Sequence, residues 1–230
     1  MRRVVAAALC SLLWACGSGR GGVPAGETVH FTTADGVELT GELRGDGDPG
    51  VVLLHMFPAD RTSWSPFAEE LAEDGYTALN FDFRGYGDSE GDRAIDEIWR
   101  DALAAVRFMR SEGHDRIVVI GASMGGTAAL IVATREDLAG VVTLSAASTF
   151  MGLTIPPEAL ELITEPKLFI AAQGDTSAAA TAQQLYAGSP PPKDVQIVTG
   201  NEHGTDLLEG GQAELVRNAI LGFLRDVRSS

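Results

Sequence analysis

The sequence predicts an α/β domain: a mostly parallel, twisted sheet with helices on both faces, opened by an antiparallel hairpin. Three observations carry this expectation. From residue 28 onward, short apolar runs alternate with longer segments of helical period, the pattern of repeated β-α units. The first two runs instead alternate apolar and polar residues around Asp35-Gly36, the pattern of a hairpin. Gly121-Ala122-Ser123-Met124-Gly125 lies between a β-branched run and an apolar helical run, which places a sharp strand-to-helix turn there. A length of 230 residues fits one domain with a sizeable core. With 45% apolar and 21% charged residues, the composition is that of a globular chain.

Taken in order, Thr28–Thr33 and Val37–Leu43 form the hairpin. Val51–His55 is a continuous apolar strand, as expected of a strand covered on both faces. Trp64 to Asp74 reads as a helix with Thr62 or Ser63 as its N-cap. Thr77–Asp82 is the next strand. Ile95–Glu112 is an amphipathic helix, with Ile95, Ile98, Trp99, Leu103, Val106, Phe108 and Met109 largely on one face. Arg116–Ile120 and Gly126–Ala133 are the strand and helix around the Ser123 turn. Val141–Ser145, Lys167–Ala172 and Val195–Val198 complete the strands, and Leu215–Val227 closes the chain as a helix. Between Ala146 and Glu165 lies an insert that carries Phe150, Met151 and Leu153, then a short helical Glu158–Ile163. It is too short for a full cap domain, so only a minimal lid is expected.

The N-terminal segment has a different character. Arg2 and Arg3 precede the apolar run Val4–Ala15, which is short of the roughly 20 residues that span a bilayer. Leu13-Trp14-Ala15-Cys16 then resembles a bacterial lipobox. That resemblance implies a signal peptide over residues 1–15, lipidation of Cys16, and membrane attachment through it. A Gly/Ser-rich tether follows over residues 16–27, and the folded domain spans residues 28–228. The expected location is the bacterial cell envelope, with Gly17 after the cysteine leaning towards the outer membrane and its periplasmic side; secretion is the alternative. After such cleavage Cys16 is the only cysteine left, so no disulfide and no catalytic or metal-binding thiol is expected. The net charge of −15 argues against nucleic acid as a partner.

Glycine makes up 27 of the residues, so a Gly-x-Ser-x-Gly match is expected by chance about 0.2 times in such a chain. The strand before it and the helix after it give it weight. At such a turn the Ser123 oxygen stands clear of the sheet, and the Met124 N–H points to where an oxyanion would form. A serine hydroxyl also needs a base, and the base needs an orienting group. Of the four histidines, His30 lies in the first hairpin, His114 before the elbow strand, and His55 ends a strand ahead of the serine. His203 sits just past the last strand, at the carboxyl end where a base can reach Ser123. Asp175 directly follows the strand ending at Ala172 and is the best candidate acid, with Glu202 as the fallback.

The order Ser123, Asp175, His203, the elbow and the strand pattern together resemble the α/β-hydrolase superfamily, in its single-domain, esterase-like branch. Leu53-Leu54-His55-Met56-Phe57-Pro58 looks like that family's oxyanion loop. Phe81-Asp82-Phe83-Arg84-Gly85-Tyr86-Gly87-Asp88-Ser89 looks like the loop after its fourth strand. The resemblance covers roughly residues 28 to 227. It implies that Phe57 and Met124 supply the oxyanion-hole N–H groups, with Met56 as the alternative donor. It also implies that His55 holds the oxyanion loop and that Asp82 and Arg84 hold the loop in which they lie. Met56 departs from the family's glycine, so either the loop takes ordinary φ and ψ there or Met56 projects into the pocket.

The expected activity is cofactor-free hydrolysis of small or medium carboxylic esters through an acyl-enzyme. No metal-ligand cluster or phosphate loop stands in the sequence. A shallow, open pocket would be bordered by Met56, Phe57, Phe150, Met151 and Leu153, although the apolar insert residues also suit packing against the sheet. Acyl transfer to another nucleophile, or thioester or amide cleavage, uses the same triad. A non-catalytic surface binding protein on this fold is the alternative from a different class.

Overall fold

In the computed structural model, which describes residues 26–230, the chain builds an eight-stranded sheet in the order β1-β2-β4-β3-β5-β6-β9-β10. The strands are β1 (Glu27–Thr32), β2 (Glu38–Arg44), β3 (Gly50–Leu54), β4 (Thr77–Phe81), β5 (Ile117–Ala122) and β6 (Gly140–Leu144). Two-residue strands β7 (Thr149–Phe150) and β8 (Leu153–Thr154) pair as a separate ribbon, and β9 (Lys167–Ala172) and β10 (Lys193–Val198) end the sheet. The helices are α1 (Ser65–Glu73), α2 (Ile98–Ser111), α3 (Met124–Ala133), α4 (Pro157–Leu160), α5 (Thr176–Gly188) and α6 (Ala213–Ser229). The expected signal peptide, the lipobox-like segment with Cys16 and most of the expected tether lie outside the described residues.

β1 and β2 form the expected antiparallel hairpin, and β2 also runs antiparallel to β4. From β3 to β10 every pairing within the large sheet is parallel. Alternating side chains divide the core in two. Val52, Leu54, Leu79 and Phe81 face one layer with residues of α2, α3 and α5. Val51, Leu53, Val118 and Ile120 face the other with residues of α1 and α6. β3 has β4 on one side and β5 on the other. The chain therefore turns outward from β3 and returns to its other flank. In open α/β sheets the crevice at the carboxyl ends of strands around such a reversal is the place for a ligand.

The structure corrects several local expectations. The helix read from Trp64 starts as a 3-10 turn over Arg61–Trp64, capped by Asp60 rather than by Thr62 or Ser63. The Asp60 carboxylate accepts from the Thr62 N–H at 2.9 Å, the better cap because it carries a full charge. The Ile95 helix likewise opens with a 3-10 turn, over Ile95–Glu97. On α2, Trp99, Leu103 and Phe108 are only half-buried, while Ala102, Ala105 and Asp101 take fully covered positions. Leu153, expected at the pocket rim, is 1% exposed and packs into the core with Ile155, Leu160 and Ile163. The insert thus anchors itself against α3 and α5 through these residues, while Met151 at its hairpin tip and Leu162 stay exposed.

Arg84 ties three elements together. Its backbone N–H and side chain donate to Asp101 of α2 at 2.9 and 2.8 Å, and its guanidinium donates to Asp35 in the hairpin turn at 2.9 and 3.1 Å. These bonds hold the Asp35 carboxyl well below the usual carboxylate range. Because that value is depressed by folding, the contribution is present above a pH of about 4 and declines as pH falls further. Asp101 has no exposure at all. Arg84→Met is therefore expected to destabilise the fold by about 3–5 kcal/mol, because it strands a buried carboxylate. Urea unfolding monitored by tryptophan fluorescence measures this loss, and an unchanged midpoint would refute it.

Candidate active site

Ser123 stands between the end of β5 and the start of α3 with φ 50° and ψ −115°. Left-handed backbone at a serine costs on the order of 1–3 kcal/mol and must be held in place by its surroundings. Its neighbours show how. A Cβ on Gly121 would lie 2.2 Å from the Gly125 carbonyl oxygen, and a Cβ on Gly125 would lie 2.3 Å from the Leu54 carbonyl oxygen. The elbow needs both glycines because backbone presses on backbone there. The Ser123 N–H donates to the Leu144 carbonyl at 2.8 Å, locking the turn to β6.

The residues expected to cooperate with Ser123 come from two loops beyond β9 and β10. His203 Nε2 lies 2.8 Å from Ser123 Oγ. His203 Nδ1 lies 2.5 Å from Asp175 Oδ2. A carboxylate accepts only, so Nδ1 carries the proton and donates to Asp175, which leaves Nε2 to accept from the serine hydroxyl. Asp175 also caps α5, accepting from the Ala178 N–H at 3.4 Å. The fallback acid, Glu202, has its carboxylate on the Asn201 and Gly211 N–H groups. His30 and His114 stay away from this cluster, on β1 and in the loop before β5.

The loop that resembles an oxyanion loop follows β3. His55 is fully buried, and burial pushes its imidazole pKa down. Its Nε2 accepts from the Phe83 N–H at 3.1 Å, so its Nδ1 carries the proton and donates to the Met56 carbonyl at 3.0 Å. His55 thus pins both the loop after β3 and the loop after β4. Asp82 holds that second loop as well, accepting from the N–H groups of Arg61 (2.8 Å) and Asp88 (2.9 Å) and from the Arg61 guanidinium. Met56 resolves its two options: it is not among the left-handed residues, so the loop passes through ordinary backbone there. Its side chain is half-buried, and its sulfur lies where a Cβ on Gly204 would come within 2.5 Å. Met56 therefore lies against the residue that follows His203.

The Met124 N–H is the first of α3 and has no partner within the helix. Among the described residues the Phe57 N–H donates to no backbone carbonyl. Phe57 is 41% exposed, and its ring packs 5.9 Å from the Phe150 ring, centroid to centroid. Met151, at the tip of the β7–β8 ribbon, is 65% exposed with φ 46°. Among the described residues no group of His, Cys, Asp and Glu side chains is placed to hold a metal ion.

Sequence reasoning passed over α5, and it read Ser145 as the last residue of a strand. The first had a local signal, an Asp175 cap followed by an alanine-rich run and ended by Gly188-Ser189-Pro190. Ser145 is the residue just past β6, with φ 53° and 1% exposure; nothing local in the sequence marks that conformation.

A model of the alpha/beta hydrolase family matches residues 51–221. The chain belongs to this family. Among its relatives, an uncharacterised protein of Mycobacterium tuberculosis is 28% identical over 229 residues, spanning 89% of this chain and 81% of that protein. The human serine hydrolase BPHL is 34% identical over 112 residues, spanning 47% of this chain and 38% of that protein. Among solved structures, an esterase of Pyrococcus furiosus superposes with a TM-score of 0.77 at 23% identity, covering 87% of this chain and 90% of that one. At that identity the superposition speaks for the α/β-hydrolase fold alone.

Proposed function

We propose that this α/β hydrolase is a serine hydrolase of carboxylic esters with small to medium acyl groups. The observation that carries the reading is the hydrogen-bonded chain from Ser123 Oγ through His203 to Asp175, at 2.8 and 2.5 Å. In this reading His203 Nε2 takes the Ser123 proton as Oγ attacks the ester carbonyl. Asp175 holds the imidazole in the required tautomer and stabilises the imidazolium that forms. The N–H groups of Met124 and Phe57 face the developing oxyanion. His203 then gives its proton to the leaving alcohol, and a water that it deprotonates next releases the acid.

The substrate class follows from the surroundings. Phe57, after β3, packs on Phe150 of the insert as an apolar pair, Met56 lies against the His203 loop, and Met151 stands at the tip of the insert. An insert this small leaves the mouth open to acyl groups of modest length. The esterase in the Pyrococcus furiosus structure and the human serine hydrolase agree with this reading. Hydrolysis of p-nitrophenyl esters of increasing chain length, by the protein and its Ser123→Ala variant, tests it. Serine-dependent turnover with a chain-length optimum is expected; no turnover on any ester would remove the carboxylic-ester reading.

The proposed location is the bacterial cell envelope, with the domain held by a lipid on Cys16 and a Gly/Ser-rich tether. Cys16→Ser is expected to move the full-length protein from the membrane to the soluble fraction. Retention on the membrane would contradict lipid attachment at this residue.

A further inference from the structure

The loop that carries His203 is gripped from two sides. On one side it meets the turn of Asp175. The Gly174 N–H donates to the Gly200 carbonyl at 2.7 Å, and a Cβ on Gly174 would lie 2.0 Å from Asn201 Oδ1. On the other side stands Glu202. Its Oε2 accepts from the Asn201 N–H at 2.8 Å, and its Oε1 accepts from the Gly211 N–H at 3.4 Å. Space for this carboxylate exists because two glycines surround it. A Cβ on Gly200, at φ 119°, would lie 2.0 Å from Oε2, and one on Gly210 would lie 2.5 Å from Cγ. The backbone N–H groups around the Glu202 carboxyl hold it below the usual carboxylate range. The side chain is therefore charged at neutral pH and holds its donors as an anion.

His203 needs such a device. Its side chain is 44% exposed, so packing alone does not fix the ring. Its position depends on where the loop backbone runs. We propose that Glu202 is the positioning residue of the base: it ties the His203 loop to the Gly210-Gly211 turn ahead of α6, and so sets the reach of His203 to Asp175 and Ser123. This inference rests on the reading of His203 as the base. It gives Glu202 a role other than orienting acid, since His203 Nδ1 is already paired with Asp175 and the Glu202 oxygens are spent on backbone donors.

The test uses the full-length protein, Glu202→Ala and Glu202→Gln, with two readouts. The first is NMR of isotope-labelled histidine, following the hydrogen-bonded Nδ1 proton of His203, which needs no substrate. In Glu202→Ala that proton is expected to exchange with solvent about tenfold faster or more, as loosening of the loop requires. Glu202→Gln has one accepting oxygen where Glu202 uses two, so it keeps only one of the two backbone donors and is expected to give protection between that of Glu202→Ala and wild type. The second is ester turnover, where Glu202→Ala is expected to lower kcat by roughly tenfold to a hundredfold with KM unchanged. Should Glu202→Ala fail to fold, Gly210→Ala displaces the same carboxylate and gives the same readouts. A His203 spectrum identical to wild type in Glu202→Ala overturns the proposal, even where esters are turned over. A perturbed spectrum in a protein that cleaves no ester supports the positioning role and sinks the ester reading instead. A Glu202→Gln variant identical to wild type in both readouts also overturns it, because the tie needs both oxygens of the carboxylate as acceptors.

Discussion

Ser123→Ala is expected to lower ester turnover by about a millionfold, as loss of the nucleophile does in enzymes of this mechanism. The fold should survive the change. Alanine carries the same Cβ as serine, so the strain of φ 50° is neither relieved nor increased. The hydroxyl removed has its 2.8 Å bond with His203, whose side chain is 44% exposed and turns to water without a desolvation penalty. Circular dichroism and the thermal midpoint should therefore match wild type while activity disappears. Turnover at the wild-type level would refute the assignment of Ser123.

Asp175→Asn is expected to lower turnover by about ten-thousandfold, through the tautomer of the base. An asparagine amide can donate to His203 Nδ1. The proton then resides on Nε2, which can no longer accept from Ser123 Oγ. Stability should change little, because asparagine caps a helix about as well as aspartate and Asp175 caps α5 through Ala178. The split between lost activity and kept stability separates an orienting role from a capping role. Glu202→Gln is the control: a ten-thousandfold loss there, with Asp175→Asn near wild type, would exchange the two carboxylates.

Much of this was legible because the residues involved obey local rules. Apolar runs such as Val51–Leu54 and Ile117–Ile120 have one stable use, as strands covered on both faces, and all are fully or almost fully buried. Gly121 and Gly125 around Ser123 reported a turn where backbone touches backbone, which the 2.2 and 2.3 Å approaches bear out. The meeting of Ser123, Asp175 and His203 was legible because each follows a parallel strand, and the carboxyl ends of parallel strands share one edge of the sheet.

What the sequence hid depends on distant partners. α3 begins at Met124, two residues earlier than expected, because Gly125 and Gly126 weaken a helix by propensity but are required by their neighbours. The Leu54 carbonyl presses on Gly125 and the Ala146 side chain on Gly126. The Asp60 cap was missed in favour of hydroxyl residues that lie one turn too far along. Leu153 looked like a pocket wall because the sequence does not say which face of the insert packs inward, here against α3. Arg84 was expected to hold its loop, but its bridge to Asp35 and Asp101 joins segments that only the folded chain brings together.

The central claim is that His203 activates Ser123 as a nucleophile. The most direct test is reaction with a fluorophosphonate, read by intact mass and peptide mapping, because it requires no knowledge of the natural ester. One adduct per chain, located on Ser123, absent from Ser123→Ala and strongly slowed in His203→Ala, is the result expected. No adduct on the folded protein, or an adduct that persists in Ser123→Ala, would contradict the claim.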